Sequence, residues 1–288
     1  MRNLVRNSLA FLAAATMALP AWTFGIGLQP TTVEMTIKPG ERQRQLVSIA
    51  NVHTEKTISL TLGLADWTLD ETGQIQLLPP GDSPVSASEW TRFSPAFLTL
   101  EPGKGQQVIV DMSVPRRLER SGDYRFALIA STILPDERSG QSGVWKKYQI
   151  ASLFYLTTDP ATSEPKISSS TVTFNEAGQP QLQLSLENTG NAHARLNGSI
   201  EFTIDGEVET TPINNLVVLH EGQRNYSIPV PAGADMGESF VVRLENVFAP
   251  QNASNREYLP AFKDVLAKRE ASLPTEDSQA ADSSENGK

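Results

Sequence analysis

Between residues 28 and 248 the sequence is a series of short runs in which apolar and polar residues alternate. Examples are residues 32–37, 107–114 and 124–130, and most runs are bounded by Gly, Pro, Asn or Asp. A period of two places every second side chain on the same face, as a strand with one buried and one solvated face requires. Helical periodicity is nearly absent here, so the pattern predicts an all-β protein.

The runs fall into two series separated by a stretch that is poor in apolar residues. Seven or so short strands between turn signals are typical of a β-sandwich. The separating stretch, residues 157–166, is rich in Pro, Ser and Thr, as connections between domains often are. We therefore predict two immunoglobulin-like β-sandwich domains in tandem, at residues 26–157 and 167–249, with a hinge at residues 158–166.

Local motifs support the sandwich prediction. Residues 38–41 and 101–104 contain Pro-Gly directly before a predicted strand, where a type II turn prefers these residues. Tyr124 lies near the start of a late strand, like the tyrosine of the tyrosine corner in immunoglobulin-like sandwiches. Residues 187–191 resemble residues 50–53 in closing the second strand of their domain, which favours one architecture for both domains.

Residues 1–25 have the layout of a secretory signal peptide. Two arginine residues precede an apolar run at residues 9–19, like the charged and hydrophobic regions of such a peptide. A retained membrane anchor is the alternative, but the run is about half of the roughly 20 residues that span a bilayer. We therefore expect export to the periplasm, cleavage between Trp22 and Gly27, and no stable membrane insertion.

Residues 250–288 are predicted to contain a short helix and an acidic tail. At residues 259–269 apolar side chains recur at spacings of three and four, which indicates an amphipathic helix. From about Ser272 onward, acidic residues stand among Ser, Ala, Gln and Gly. Such a composition buries too little apolar surface to offset chain entropy, so we predict a disordered tail.

Cysteine content and charge narrow the class of protein. The sequence contains no cysteine, so an exported chain would be held together by hydrophobic burial alone. Without Arg2 and Arg6 of the signal peptide, it has 22 basic and 33 acidic residues, a net charge of −11. We expect no nucleic-acid partner, because binding to phosphates depends on Lys and Arg.

The sequence shows no constellation of catalytic residues. His53, His193 and His220 each stand alone, without the spacing of a metal site. Neither a Gly-x-Ser-x-Gly motif nor a phosphate-binding glycine loop occurs. A pair of carboxylates such as Glu34 and Asp111 is the remaining alternative for hydrolysis. We therefore expect a protein that is not an enzyme and that binds no metal and no cofactor.

The order of several motifs between residues 28 and 247 resembles that of the PapD-like periplasmic chaperones of the chaperone–usher pilus pathway. The motifs are residues 38–41, Ser48-Ile-Ala-Asn51, Trp67, residues 94–103 before the strand at 107–110, Gly122-Asp-Tyr-Arg125 and Leu153-Phe-Tyr155. The resemblance implies a divergent member of that family, with two immunoglobulin-like domains. It also implies that the chain binds an incomplete pilus subunit by lending it the last strand of the first domain.

In this chain the lent strand would be residues 145–156. Backbone hydrogen bonds would provide the binding, and alternate side chains would fix the register. The residues thereby assigned to the partner are Trp145, Lys147, Tyr148, Ile150, Ser152 and Phe154. Lys146 and Lys147 interrupt the apolar pattern, and a lysine on an edge strand is also a usual protection against unwanted pairing.

Two positions depart from the family pattern. Its members hold the terminal carboxylate of the subunit with an arginine in the first strand and a lysine in the last. Here those positions fall near Pro30 and on Ser152, and neither is basic. The sequence does not choose among the basic residues that would substitute for them, which are Arg42, Arg44, Lys146 and Lys147.

Two functions are compatible with these observations. The first is a periplasmic chaperone for pilus, fimbrial or other surface-fibre subunits, with the subunit and an outer-membrane usher as partners. The alternative is an exported adhesive or structural immunoglobulin-like protein that is itself a component of a surface or secretion assembly. The predicted sandwich does not separate them, because a fold does not determine a function.

Overall fold

The computed structural model describes residues 25–135, 145–234, 240–248 and 257–258. Apart from a 3-10 turn at Ser88–Trp90, the regular elements in these ranges are strands. No helix long and apolar enough to cross a bilayer occurs within them. Residues 1–24 of the predicted signal peptide, the predicted C-terminal helix and the acidic tail lie outside the described residues.

The first domain consists of two sheets packed face to face. A four-stranded sheet has the order β1-β3-β8-β6, and a six-stranded sheet has the order β2-β10-β9-β4-β5, with β7 also beside β4. The strands are β1 (Ile26–Gln29), β2 (Thr32–Ile37), β3 (Arg42–Asn51), β4 (Ile58–Leu69), β5 (Ile75–Leu78), β6 (Thr91–Ser94), β7 (Phe97–Leu100), β8 (Gly105–Ser113), β9 (Gly122–Pro135) and β10 (Trp145–Thr158).

The core of this domain lies between its two sheets. Val47, Val108 and Val110 of the four-stranded sheet are fully buried. From the six-stranded sheet, Phe126 and Phe154 stack with their ring centroids 4.3 Å apart. Burial of one such side chain contributes about 1.5–3 kcal/mol to stability. The apolar positions of the alternating sequence pattern therefore supply the core between the two sheets.

The predicted turn and corner are both present. Glu41 donates its backbone N–H to the Lys38 carbonyl at 3.0 Å, and Gly40 has a φ of 81°, which suits glycine at the third position of a type II turn. The Tyr124 hydroxyl donates to the carbonyl of Arg120 at 3.0 Å. This bond is the tyrosine corner that the sequence predicted.

The second domain is a smaller sandwich. One sheet has the order β11-β12-β15 and the other has the order β14-β13-β16-β17. Its strands are β11 (Pro165–Phe174), β12 (Pro180–Asn188), β13 (Ala194–Ile204), β14 (Glu207–Val218), β15 (Gly222–Pro229), β16 (Val241–Asn246) and β17 (Glu257–Tyr258). The prediction of two immunoglobulin-like sandwiches is confirmed.

Each domain has a buried asparagine where its second core strand ends. The Asn51 side-chain amide donates to the carbonyl groups of Lys56 and Leu100, at 2.7 and 2.9 Å. Asn188 does the same for two carbonyl groups of its own domain, at 2.8 and 3.2 Å. The similarity between residues 50–53 and 187–191 therefore corresponds to the same arrangement in both domains, a buried asparagine amide that donates to two carbonyl groups at the end of a strand.

Candidate functional site

The strand β10 is only partly covered on its outer side. On its inner side it pairs with β9 along its whole length, from Trp145 to Thr158. On its outer side it pairs with β2 in parallel orientation, but only from Leu153 onward. Within the residues that the structure describes, no strand lies beside the outer side of residues 145–151. We call this stretch the open edge.

Backbone groups of the open edge point outward in a regular series. The N–H of Leu153 donates to the Thr31 carbonyl on the outer side, at 2.9 Å. Because the N–H and C=O groups of a strand change side at each residue, those of Lys147, Gln149 and Ala151 face the same way. The open edge therefore presents a ladder of donors and acceptors to an added strand.

Side chains at the open edge lie on two faces. Ile150 is partly buried against the core of the first domain, and Tyr148, two residues earlier on the same face, is 38% exposed. Lys147 lies on the opposite face and is exposed. Of the two lysine residues that interrupt the apolar pattern in the sequence, Lys147 therefore lies on the face opposite Tyr148 and Ile150. The side chain of Trp145 lies outside the described atoms.

Two residues that the sequence assigned to the partner are not at the open edge. Phe154 is fully buried and stacks on Phe126, in the half of β10 that has a strand on both sides. Ser152 is also fully buried, and its hydroxyl donates to the Pro30 carbonyl at 2.7 Å. Neither side chain is accessible to a partner, because Phe154 lies in the core of the first domain and Ser152 is enclosed beside Pro30.

The same Ser152–Pro30 contact brings together the two positions where the family would carry basic residues. A hydroxyl and a carbonyl meet there instead of two cations. Of the substitutes considered, Arg44 is bound to Asp111 at 2.6 Å, on the other sheet. Lys147 is exposed on the open edge itself.

The carboxylate pair proposed for hydrolysis is not formed. Asp111 lies on β8 and is bound to Arg44. Glu34 lies on β2 in the other sheet and contacts His193 and Arg195 of the second domain. Among the described residues, no group of three His, Cys, Asp or Glu side chains is placed to hold a metal ion.

An apolar cluster joins the two domains. Trp67, Ala127 and Tyr155 of the first domain pack with Leu219 of the second. Trp67 is fully buried and its indole N–H donates to the Phe126 carbonyl at 3.0 Å. The ring of Tyr155 meets that of Trp67 edge to face, with centroids 4.9 Å apart, so the junction has the packing of a core.

Buried charged groups lie beside this cluster. The His193 ring, fully buried, has its Nδ1 at 2.7 Å from the Asp123 carboxylate and its Nε2 at 3.5 Å from that of Glu34. His220 accepts a hydrogen bond from Arg125 at 2.9 Å. Burial, and then the charge of Arg125, lower the pKa of His220 to about 4. Two histidines that stand alone in the sequence thus meet charged partners from the other domain.

No protein-family model matches the sequence. No curated protein matches it either.

Similar solved structures are found among fimbrial chaperones. A class 5 fimbriae chaperone, CfaA, is 12% identical, with coverage of 82% of this chain and 98% of that chain and a TM-score of 0.42. A chain from the Salmonella enterica SafA pilin–SafB chaperone complex is 14% identical, with coverage of 83% and 97% and a TM-score of 0.43. A chain from the Acinetobacter baumannii CsuC–CsuE chaperone–tip subunit complex is 14% identical, with coverage of 82% and 98% and a TM-score of 0.41. Values this low assign neither a family nor a function to this chain.

Proposed function

We propose that the protein is a periplasmic chaperone that binds subunits of a pilus or another surface fibre by pairing its open edge with an unfinished sheet of the subunit. The observation that carries this proposal is the outer side of residues 145–151, which no described strand covers. Addition of a strand to such an edge is an established mode of protein recognition.

The side chains of the open edge suit this role. An added strand gains affinity from backbone hydrogen bonds and register from alternate side chains that enter pockets. Tyr148 and Ile150 stand two residues apart on one face, and Tyr148 is 38% exposed. They would fill positions that the unfinished subunit leaves empty in its own core. The proposed contacts are therefore Trp145, Lys147, Tyr148 and Ile150, without Ser152 and Phe154.

The location is part of the same proposal. Residues 1–25 would direct export, and the chaperone would then meet its subunit in the periplasm and pass it to an outer-membrane usher. No catalytic step is needed, because the binding energy of strand pairing is itself the activity.

A side-chain variant tests the open edge. The tagged protein is expressed in a periplasm together with a β-rich fibre subunit that is unstable alone, and the recovered subunit is quantified. Ile150→Asp should abolish recovery, because a carboxylate cannot enter an apolar pocket without a large desolvation cost. Ile75→Asp is the matched control, since Ile75 is 48% exposed on β5 of the same sheet, and it should leave recovery unchanged.

A backbone variant separates strand pairing from other contacts. Gln149→Pro removes one outward N–H, and a proline is tolerated on an edge strand when the lost N–H faces solvent. Gln149→Ala removes the same side chain but keeps the N–H. We expect the proline variant to lose most of the recovered subunit while the alanine variant retains it. Equal recovery by both variants, or recovery of the protein only as a homopolymer, would contradict the proposal.

A further inference from the structure

We propose that His193 is a pH-dependent lock between the two domains, closed while its ring carries two protons and loosened when one is lost. The proposal concerns the junction and is independent of the proposed function.

The lock consists of one ring of the second domain held between two carboxylates of the first. Asp123, on β9, accepts hydrogen bonds from both the His193 ring Nδ1, at 2.7 Å, and the His193 backbone N–H, at 2.6 Å. Glu34, on β2, faces the other ring nitrogen at 3.5 Å. Because Asp123 and His193 are both fully buried, water cannot replace either partner while the junction is closed.

The remaining groups around the ring hold it in place. The Tyr155 ring, on β10, lies 4.3 Å from it, and the Phe248 ring lies 3.8 Å away and stacks on it. Arg195, on the same strand as His193, is bound to Glu34. Among the described residues, His220 and Arg125 are two further titratable groups that lie nearby. Tyr155 does not compete for a proton at moderate pH, since burial raises its pKa to about 12.

The protonation state of the His193 ring determines how it interacts with the carboxylates of Asp123 and Glu34. A doubly protonated imidazole donates from both nitrogens, but a neutral one donates from a single nitrogen and turns a lone pair toward the other carboxylate. In the neutral form the proton can remain on Nδ1, so Asp123 keeps its hydrogen bonds, but its buried negative charge loses the opposite charge of the ring. Nε2 then turns a lone pair toward Glu34, which keeps its ion pair with Arg195. A buried charge without an opposite charge is unfavourable. The domains can relieve this by moving apart.

The electrostatic balance favours the doubly protonated ring. Burial is the largest influence on the pKa of His193 and disfavours its charged form, but the charges of Asp123 and Glu34 and the hydrogen bond to Asp123 outweigh it, so the pKa is raised. For Asp123, burial acts to raise the pKa, but the charge of His193 and its hydrogen bonds prevail and lower it.

The direction of the pH effect follows from these shifts. A group whose pKa is higher in the closed junction than in the open one stabilises the closed form fully below its ordinary pKa, about 6.5 for histidine. That contribution is lost as the pH rises through the raised value. Each unit of the rise changes the ratio of closed to open junction about tenfold. The lowered pKa of Asp123 means that this carboxylate takes up a proton only below its ordinary pKa, about 3.9.

Distance measurements between the domains test the lock. Since the natural chain contains no cysteine, Gln107→Cys and Glu209→Cys, at exposed positions of the first and second domains, place two spin labels specifically. Pulsed electron paramagnetic resonance then gives the distance distribution from pH 5.5 to pH 9.5, and NMR follows the His193 ring. We expect a narrow distribution at acidic pH that broadens in step with the loss of the ring proton.

Three variants make the result decisive. His193→Gln should abolish the pH response, and His53→Gln, which alters a buried histidine distant from the junction, should retain it. Glu34→Gln leaves the Asp123 contact in place and should move the broadening to lower pH, which keeps the test valid if His193→Gln does not fold. A wild-type distribution that is unchanged from pH 5.5 to 9.5, or a His193 ring that loses its proton below pH 6.5, would overturn the proposal.

Discussion

The buried amide of Asn51 provides a quantitative test of how the first domain is held together. Its side chain donates to the carbonyl groups of Lys56 and Leu100 and accepts a hydrogen bond from the backbone N–H of His53 at 2.9 Å. Only 1% of the residue is exposed. Asn51→Ala removes all three bonds.

The magnitude follows from the number of bonds. A typical hydrogen bond contributes about 1 kcal/mol net, and a buried group left without a partner costs about 1–3 kcal/mol. Three lost bonds should therefore lower the free energy of unfolding by about 3 kcal/mol, a large part of the 5–15 kcal/mol that a domain typically has. With a denaturant slope of about 2 kcal/mol/M, the urea midpoint would fall by about 1.5 M.

Urea unfolding followed by tryptophan fluorescence measures this change, since Trp67 and Trp90 both lie in the first domain. Gln106→Ala is the matched control, because it removes an exposed amide side chain from the neighbouring strand, and it should stay within about 0.5 kcal/mol of wild type. A loss below 1 kcal/mol for Asn51→Ala would refute the view that this amide ties the loop and strand ends together.

Two further predictions concern acid stability and strand packing. The pKa of His220 is lowered to about 4 by burial and by Arg125, so unfolding takes up a proton between about pH 6.5 and 4 and wild-type stability falls as the pH drops through this window. His220→Gln should reduce that fall in thermal denaturation measured across the window, and an unchanged fall would argue against a neutral buried ring. In Gly198→Ala, the new Cβ would lie 1.8 Å from the Arg243 carbonyl oxygen, whereas at Gly63 nothing lies within 4 Å. We expect Gly198→Ala to lower the urea midpoint by an amount equivalent to about 1–3 kcal/mol and Gly63→Ala to be nearly neutral, and equal midpoints for the two variants would contradict this account.

Most strands were predictable because a strand with one buried face has an alternating apolar pattern in its local sequence. Residues 32–37 were predicted from alternation and form β2 with the same bounds. The first half of β14 was missed, since from Glu207 to Thr210 the residues are exposed, and a strand without a buried face leaves no apolar alternation. Its existence depends on pairing with β13, which the local sequence does not encode.

The candidate sites depend on contacts that no local pattern reports. Asp123 and His193 are 70 residues apart, so local sequence shows His193 only as an isolated histidine. The alternation along β10 likewise predicted a strand, but it did not reveal that β2 covers the second half and leaves the first half open. Ser152 and Phe154 were assigned to the partner for that reason.

The chain segment that forms β1 and β2 contributes one strand to each sheet of the first domain. The point at which it changes sheets determines which parts of the neighbouring strands are left unpaired. β1 shields only Ser48 to Asn51 of β3, and β2 shields only Leu153 to Thr158 of β10. Among the described strands, β3 and β10 therefore each keep an unshielded stretch on this side, at opposite ends of the sandwich. The stretch on β3 begins with Arg42 and Arg44, and such charges deter pairing. Moving the point at which the segment changes sheets would lengthen one stretch and shorten the other, so that point sets the length of each unpaired edge.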